Sequence, residues 1–344
     1  MASDRLHRLF RRLAQFATVF ALLVVILGAY TRLSDAGLGC PDWPGCYGHL
    51  GVPQAEHEVA RANASFPERP VEAPKAWKEM VHRYFAGTLG LLILGLAVLA
   101  LVNRQHVRQP VLLPLLLLGL VIFQALLGMW TVTLQLKPVV VMGHLLGGFA
   151  TLSLLWWLAI GGRETPLIAR NGNRRFLPWV SLGVVILVGQ IALGGWTSSN
   201  YAALACPDFP QCQSRWWPEM DFREGFVLWR GLGVNYEFGV LDHPARTAIH
   251  YAHRLGALVT ALYLGLLALG LLFGRRSDGL RGAALIVLLV LGAQVSLGIS
   301  NIVYQLPLSV AVAHNAVAAI LLLSLLTLLA AILRSGASSF EQRG

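Results

Sequence analysis

The chain has 344 residues, 56% of them hydrophobic and only 13% charged, with a net charge of +10 and a mean hydropathy of +0.62. Soluble domains carry roughly 25% charged residues, so this composition excludes a soluble enzyme and specifies an integral membrane protein. The positive balance does not indicate nucleic acid: no DNA- or RNA-binding motif accompanies it, and basic residues in short loops are what orient a membrane chain.

Apolar runs near the ~20 residues needed to cross a bilayer fall at about 14–32, 82–102, 111–131, 139–161, 177–197, 247–273, 282–302 and 309–333. They are too long and unbroken for barrel strands, so they predict eight transmembrane helices in an all-α membrane protein. The first run follows "RLHRLFRR" but has no A-x-A cleavage site, and Gly37 stands where a lipoprotein box wants a large aliphatic residue, so it reads as a retained helix. Arg5, Arg8, Arg11 and Arg12, with "NRQHVRQ", "GRETPLIARNGNRR" and "GRRSDGLR", share one side, whereas "TLQLKP" and "YQLP" hold only Lys137. Both termini are therefore expected in the cytoplasm, with the Cys loops outside.

The chain is internally duplicated. "GAYTRLSDAGLGCPDWPGC" from Gly28 aligns with "GGWTSSNYAALACPDFPQC" from Gly194, "HRYFAGTLG" from His82 with "HRLGALVTA" from His253, and "QALLGMWTVTLQLKPVVVMGH" with "QVSLGISNIVYQLPLSVAVAH", ending at His144 and His314. Four helices return a chain to the side it left, so the halves must be parallel repeats. The expectation is two tandem four-helix bundles, 1–165 and 166–344, joined through the basic segment near 162–176.

Four His keep matching positions: His82 and His144, His253 and His314. The apolar runs put each in the first turn or two of a helix that starts from the outer face, at one depth. Paired imidazoles across a bundle can hold a haem iron from both sides, whereas zinc would want a third or fourth ligand. His7, His106, His49, His57 and His243 lie in flanks and loops and read as solvated. Three residues before the first His of each pair the halves differ: Glu79 in "EMVHR", His250 in "HYAHR". On a helix these share a face, so Glu79 leans towards the first pocket, where a carboxylate can move protons; an ordinary acid in a helix's first turn is the alternative. Arg83 and Arg254 follow the His directly and either reach haem propionates or snorkel to headgroups.

"GAYTRLSDAGLGCPDWPGC", "EMVHRYFAGTLG", "MGHLLGG", "IHYAHRLGAL" and "VAHNAVAA" together resemble the haem A synthase family over nearly the whole chain. The resemblance implies oxidation of a haem O methyl to a formyl group, giving haem A for terminal oxidase assembly. It implies a substrate site at His82 and His144 with Glu79 as catalytic carboxylate, and a haem b cofactor on His253 and His314. Two axial His leave no open iron position for oxygen, so either one ligand leaves or the oxidant acts elsewhere. The resemblance places the protein in the bacterial inner membrane, with haem O synthase and cytochrome oxidase assembly proteins as partners beside an electron donor the residues do not name. It leaves a homo-oligomer open. A bis-His di-haem b cytochrome for electron transfer and a haem carrier are the rival readings.

All four Cys fall in two Cys-x5-Cys segments, wider than the usual zinc spacing. Three connectivities exist; sequential pairing, Cys40–Cys46 and Cys206–Cys212, is the simplest. The resemblance links the first pair to activity, but a pair in both halves favours a staple that folds each outer loop over a pocket. A disulfide-exchange protein would show Cys-x-x-Cys, which is absent. The long aromatic loop 213–246 is expected on the outer surface.

Overall fold

The structure, a computed structural model, describes residues 2–161, 173–274 and 279–334. The expected boundary at 165/166 and most of the basic segment that joins the halves lie outside the described residues. In chain order the helices are α1 (Ala2–Leu33), α2 (Glu56–Ser65), α3 (Ala73–Val102), α4 (Leu112–Thr133), α5 (Pro138–Gly161), α6 (Leu177–Ser199), α7 (Phe222–Gly225), α8 (His243–Phe273), α9 (Arg281–Val303) and α10 (Leu308–Arg334). All but the short α2 and α7 are long and apolar enough to cross a membrane, eight among the described residues. The all-α expectation holds.

Besides α1, which starts at Ala2 rather than near 14, two helices begin earlier than hydropathy predicts. α3 starts at Ala73 and α8 at His243, not at 82 and 247. Hydropathy marks the apolar run, not the end of a helix, and both extend N-terminally through polar turns. Pro74 and Pro244 sit in the first turns, where their missing N–H groups cost nothing, and the Asp242 carboxylate accepts from the Ala245 N–H at 3.1 Å as N-cap. His82 and His253 therefore lie about three turns into their helices rather than in the first or second, because the helix continues N-terminally beyond the apolar run to meet the disulfide loop.

Each half closes a ring. α1 packs on α3, α3 on α4, α4 on α5 and α5 on α1; α6, α8, α9 and α10 do the same. Between the halves, α1 meets α10 and α5 meets α6, so the first helix of each half touches the last of the other. Ala14, Ala17 and Ala21 form a fully packed stripe on α1, which lets backbones approach closely where lipid supplies no hydrophobic drive. α10 is the central helix: 61% of its spanning window is buried, against 22–28% for the other seven. Matching turns join α4 to α5 and α9 to α10, each with Gln-Leu in left-handed backbone, Gln135–Leu136 (φ 49° and 59°) and Gln305–Leu306 (φ 56° and 61°).

The loop 213–246 does more than lie on the surface. Its end crosses onto the first half. Tyr236 N–H donates to the Gln135 carbonyl at 3.0 Å, and Arg69 pairs with Glu237 at 3.2 Å. Tyr236 and Val234 pack with Leu38, Val132 and Leu136. Beneath it Lys137 is buried to 2% exposure, with its ammonium 3.3 Å from the Trp229 ring centroid and bonded to the Gly231 carbonyl.

Candidate functional site

The four His rings meet glycines on the neighbouring helix. A Cβ placed on Gly28 would lie 2.9 Å from His82 Cε1, on Gly194 3.2 Å from His253 Cε1, on Gly298 3.1 Å from His314 Cε1, and on Gly128 3.5 Å from His144 Cε1. Glycine is therefore what lets the His82, His253 and His314 rings press against the next helix's backbone, whereas at Gly128 a Cβ would make only ordinary contact with His144. His82 and His144 face each other across the first half, with ring centroids 6.5 Å apart and planes at 88°. Three of the glycines are preceded by a Gln four residues earlier, on the same helix face: Gln124, Gln190 and Gln294. Gln190 Nε2 lies 3.0 Å from His253 Nδ1 and donates to the His253 carbonyl at 3.0 Å; Gln294 Nε2 lies 3.3 Å from His314 Nε2. In α1 the matching position is Val24.

All four His line one continuous, partly open chamber of 1910 Å³ lined by residues of both halves. A single small-molecule site is typically ~300–1,000 Å³, so the chamber has room for two large ligands. Among the described residues, Nδ1 of His82, His144 and His314 is buried without a hydrogen-bond partner, as are Gln124 Nε2 and Oδ1 of Asn301 and Asn315. Orphaned polar atoms in a chamber mark groups that a ligand completes. No group of three or more His, Cys, Asp or Glu comes together among the described residues, so the donors are pairs of imidazoles, which suit axial haem ligation rather than a structural zinc site. The chamber is not symmetric: at Gln190, Asn301 and Asn315 the first half has Val24, Thr131 and Leu145, so the second half is the more polar.

Above each His pair sits a disulfide loop, closed by Cys40–Cys46 and Cys206–Cys212. The Asp of each Pro-Asp-aromatic-Pro sequence folds it. Asp42 accepts from Tyr47 N–H at 2.6 Å and Gly48 N–H at 2.7 Å; Asp208 accepts from Gln213 at 2.6 Å and Ser214 at 2.7 Å. Arg83 donates to the carbonyls of Asp42 and Pro44 at 3.0 and 3.2 Å, and Arg254 to those of Cys206, Asp208 and Gln211 at 2.7–2.8 Å. Each guanidinium is a strut from helix to loop, a role the sequence did not disclose.

Glu79 and His250 do the same local work. A Glu79 carboxylate oxygen accepts from the Cys40 N–H at 2.9 Å and the other from Arg83. His250 Nδ1 accepts from the Cys206 N–H at 3.2 Å, and Arg254 Nε lies 3.3 Å from His250 Nε2. Glu79 is 5% exposed and, with His82, lines the chamber. Among the described residues, a buried, Arg-paired carboxylate thus stands at the first pocket and not at the second.

The cytochrome oxidase assembly protein family matches residues 11–326. The chain belongs to this family. It is 50% identical to the heme A synthase of Shewanella oneidensis over 317 residues, covering 92% of this chain and 94% of the relative. The heme A synthase of Caulobacter vibrioides is 29% identical over 330 residues (89% of this chain, 90% of the relative), and that of Chelativorans sp. 28% over 341 residues (92% and 90%).

In this member of the family the structure brings the four expected His, Glu79, Arg83 and Arg254 around one chamber. The other His take different places. His7 and His106 stack at 4.8 Å and tie the start of α1 to the α3–α4 loop, so they are partly buried rather than simply solvated. His49 pairs its backbone with Cys46, and His57 and His243 are exposed. The glutamines and glycines were missed as partners of the His. Their signal was Gln-x3-Gly, which occurs three times.

Proposed function

We propose that this protein is a haem A synthase that oxidises one ring methyl of haem O to a formyl group. The observation that carries the reading is the placement of two His pairs in a single chamber, only one of which has a carboxylate beside it. His82 and His144 would hold the substrate in the first half. His253 and His314 would hold a resident haem b in the second, with Gln190 orienting His253. A bis-imidazole haem supplies reversible one-electron transfer when bound.

With water as the oxygen source, each of two oxidations would add one water oxygen to the carbon and release two electrons and two protons, first to a hydroxymethyl and then to a gem-diol that loses water to the aldehyde, the electrons passing to an external oxidant. Glu79 would take up protons released at the methyl carbon or offset positive charge there. Each carboxylate oxygen retains acceptor capacity beyond its bond to Cys40 or Arg83. The Cys40 and Cys206 loops would act as lids that keep water from the chamber. The basic flanks support cytoplasmic termini and outward-facing disulfide loops in a bacterial inner membrane. Substrate would come from a haem O synthase, and product pass to oxidase assembly proteins.

The test is co-expression with a haem O synthase, followed by haem extraction and mass analysis of the parent, Glu79→Ala and His82→Ala. Haem A or its hydroxylated precursor from the parent, lost in both variants while haem b persists, is the expected result. Haem b alone from all three would leave a di-haem b cytochrome instead.

A further inference from the structure

The four His are seated alike but not supported alike. Each ring meets the glycine of a facing helix, and three of those helices carry an amide one turn from that glycine: Gln124 for His144, Gln190 for His253 and Gln294 for His314. On α1, the helix that His82 meets, the same position is Val24. Two of the amides also have a prepared seat. Gly147 and Gly256 stand one turn beyond His144 and His253, and a Cβ on either would overlap the side chain of Gln124 or Gln190. One turn beyond His82 the residue is Phe85, which stacks on Phe20 of α1 with centroids 5.3 Å apart and planes at 5° and fills the equivalent place.

The His82 ring therefore faces an apolar wall. Val24 is buried, and among the described residues nothing is hydrogen-bonded to His82 Nδ1. Nδ1 of His144 and of His314 is unpartnered too, but each of those rings has a Gln on its facing helix, and His82 has none to turn to. A hydrogen bond to the outer nitrogen of a ligating imidazole fixes its tautomer and orientation and raises its basicity, and losing that partner typically costs 10–100-fold in metal affinity. His82 is thus the weakest of the four donors. It is also the one beside the carboxylate: Glu79 lies one turn before it on α3 and shares the chamber wall. Two departures from the repeat, Val24 for Gln and Glu79 for His, fall around the same imidazole.

We infer that His82 is the axial ligand that leaves the substrate iron, and that Val24 in place of a Gln on α1 is what lets it leave. The inference rests on the haem O reading above. The step is a ligand exchange: the iron–nitrogen bond to His82 breaks, its electron pair stays on the imidazole, and no electrons are transferred. His144, with Gln124 beside it, keeps the haem in place. The freed iron position lies on the side of α3, the helix that carries Glu79. In the second half Gln190 and Gln294 keep both ligands on, which suits a haem that only passes electrons.

The experiment loads full-length protein, with its second-half haem retained, with haem O, reduces it and follows carbon monoxide uptake by visible absorbance. In the parent the first-half haem is expected to take up carbon monoxide while the second-half haem stays six-coordinate. Val24→Gln, which copies Gln190, should slow that uptake about tenfold or more. Gln190→Val, which copies Val24, should make the second-half haem take up carbon monoxide as well. His82→Ala should leave a five-coordinate, high-spin haem that free imidazole returns to low spin, and His144→Ala should bind haem O about tenfold more weakly than His82→Ala does. Retention of the other half's haem reports that each variant is folded. Unchanged uptake in Val24→Gln, or haem O binding in His82→Ala as weak as in His144→Ala, overturns the assignment. None of these readouts needs turnover, so a parent that takes up carbon monoxide as expected yet makes no haem A would remove the synthase reading and leave the ligand assignment standing.

Discussion

Gly28 and Gly128 offer a matched pair of perturbations at the first His site. Alanine at Gly28 puts its Cβ 2.9 Å from His82 Cε1 and 3.4 Å from Nε2, whereas at Gly128 the nearest approach is 3.5 Å, to His144 Cε1. Ordinary carbon contact begins at about 3.4 Å, so Gly28→Ala must drive the His82 ring or α1 away by ~0.5 Å, and Gly128→Ala need move nothing. A binding constellation tolerates ~0.5 Å, and overpacking of this kind costs ~1–3 kcal/mol, a loss of about 5–150-fold in affinity at that site. Gly28→Ala should therefore weaken haem O binding by one to two orders of magnitude and lower haem A per mole of protein, with second-half haem b intact. Gly128→Ala should stay within about threefold. Absorbance titration and extracted haem A, with a thermal melt as control, read both. If the two variants behave alike, glycine is not what sets the His82 position and the close-contact reasoning is wrong.

Glu79→Ala leaves the Cys40 amide without its acceptor, at ~1–3 kcal/mol for a buried donor, takes the carboxylate from Arg83, which keeps its loop carbonyls, and should speed proteolysis at the first disulfide loop. Glu79→Gln keeps an oxygen for Cys40 and should preserve the loop while cutting haem A output ~100-fold or more if the carboxylate handles protons; full activity would reduce Glu79 to an anchor. Lys137→Met removes a cation over Trp229 and a donor to Gly231, worth ~1–2 kcal/mol together, and should expose the crossing end of loop 213–246 to protease; an unchanged cleavage rate would show that the strap is held without it. At Asp208 burial pushes the carboxyl up, but the N–H groups of Ser214 and Gln213 outweigh it and hold the group below the usual carboxylate range. Its stabilisation is present above the unfolded value of ~3.9 and lost as pH falls through the lower folded value. Amide exchange in the second disulfide loop should accelerate below about pH 4 in the parent and be fast, with little pH response, in Asp208→Ala; equal exchange in both would deny Asp208 that role.

The His pairs and the Cys pairs were legible because duplication acts as an internal control: a residue type kept at one position in both copies, such as His144 and His314, is set apart from incidental His such as His57. The partners of those His were not legible in the same way. Gln190 lies on α6, sixty-three positions from His253, and nothing local in "GQIALGG" says which ring it will meet. Arg83 and Arg254 were read as propionate or headgroup contacts because a linear sequence shows their distance from the membrane edge but not the loop carbonyls above them. The early starts of α3 and α8 escaped for a related reason: polar turns such as "AWKE" lower hydropathy without breaking a helix whose outer end is packed.

The membrane class, the eight helices, the internal duplication of sequence and the candidate ligands follow from hydropathy, charge placement and repetition, all of which are local or periodic properties that survive in one dimension. The shared chamber, the glycine beneath each imidazole, the common loop-anchoring work of Glu79 and His250, and the crossing of loop 213–246 onto the first half depend on which helix faces which. Long-range packing sets those relations. In a bilayer every helix is apolar nearly all round, so its outward pattern does not announce its neighbour; close approach of small residues and a few buried polar pairs choose it.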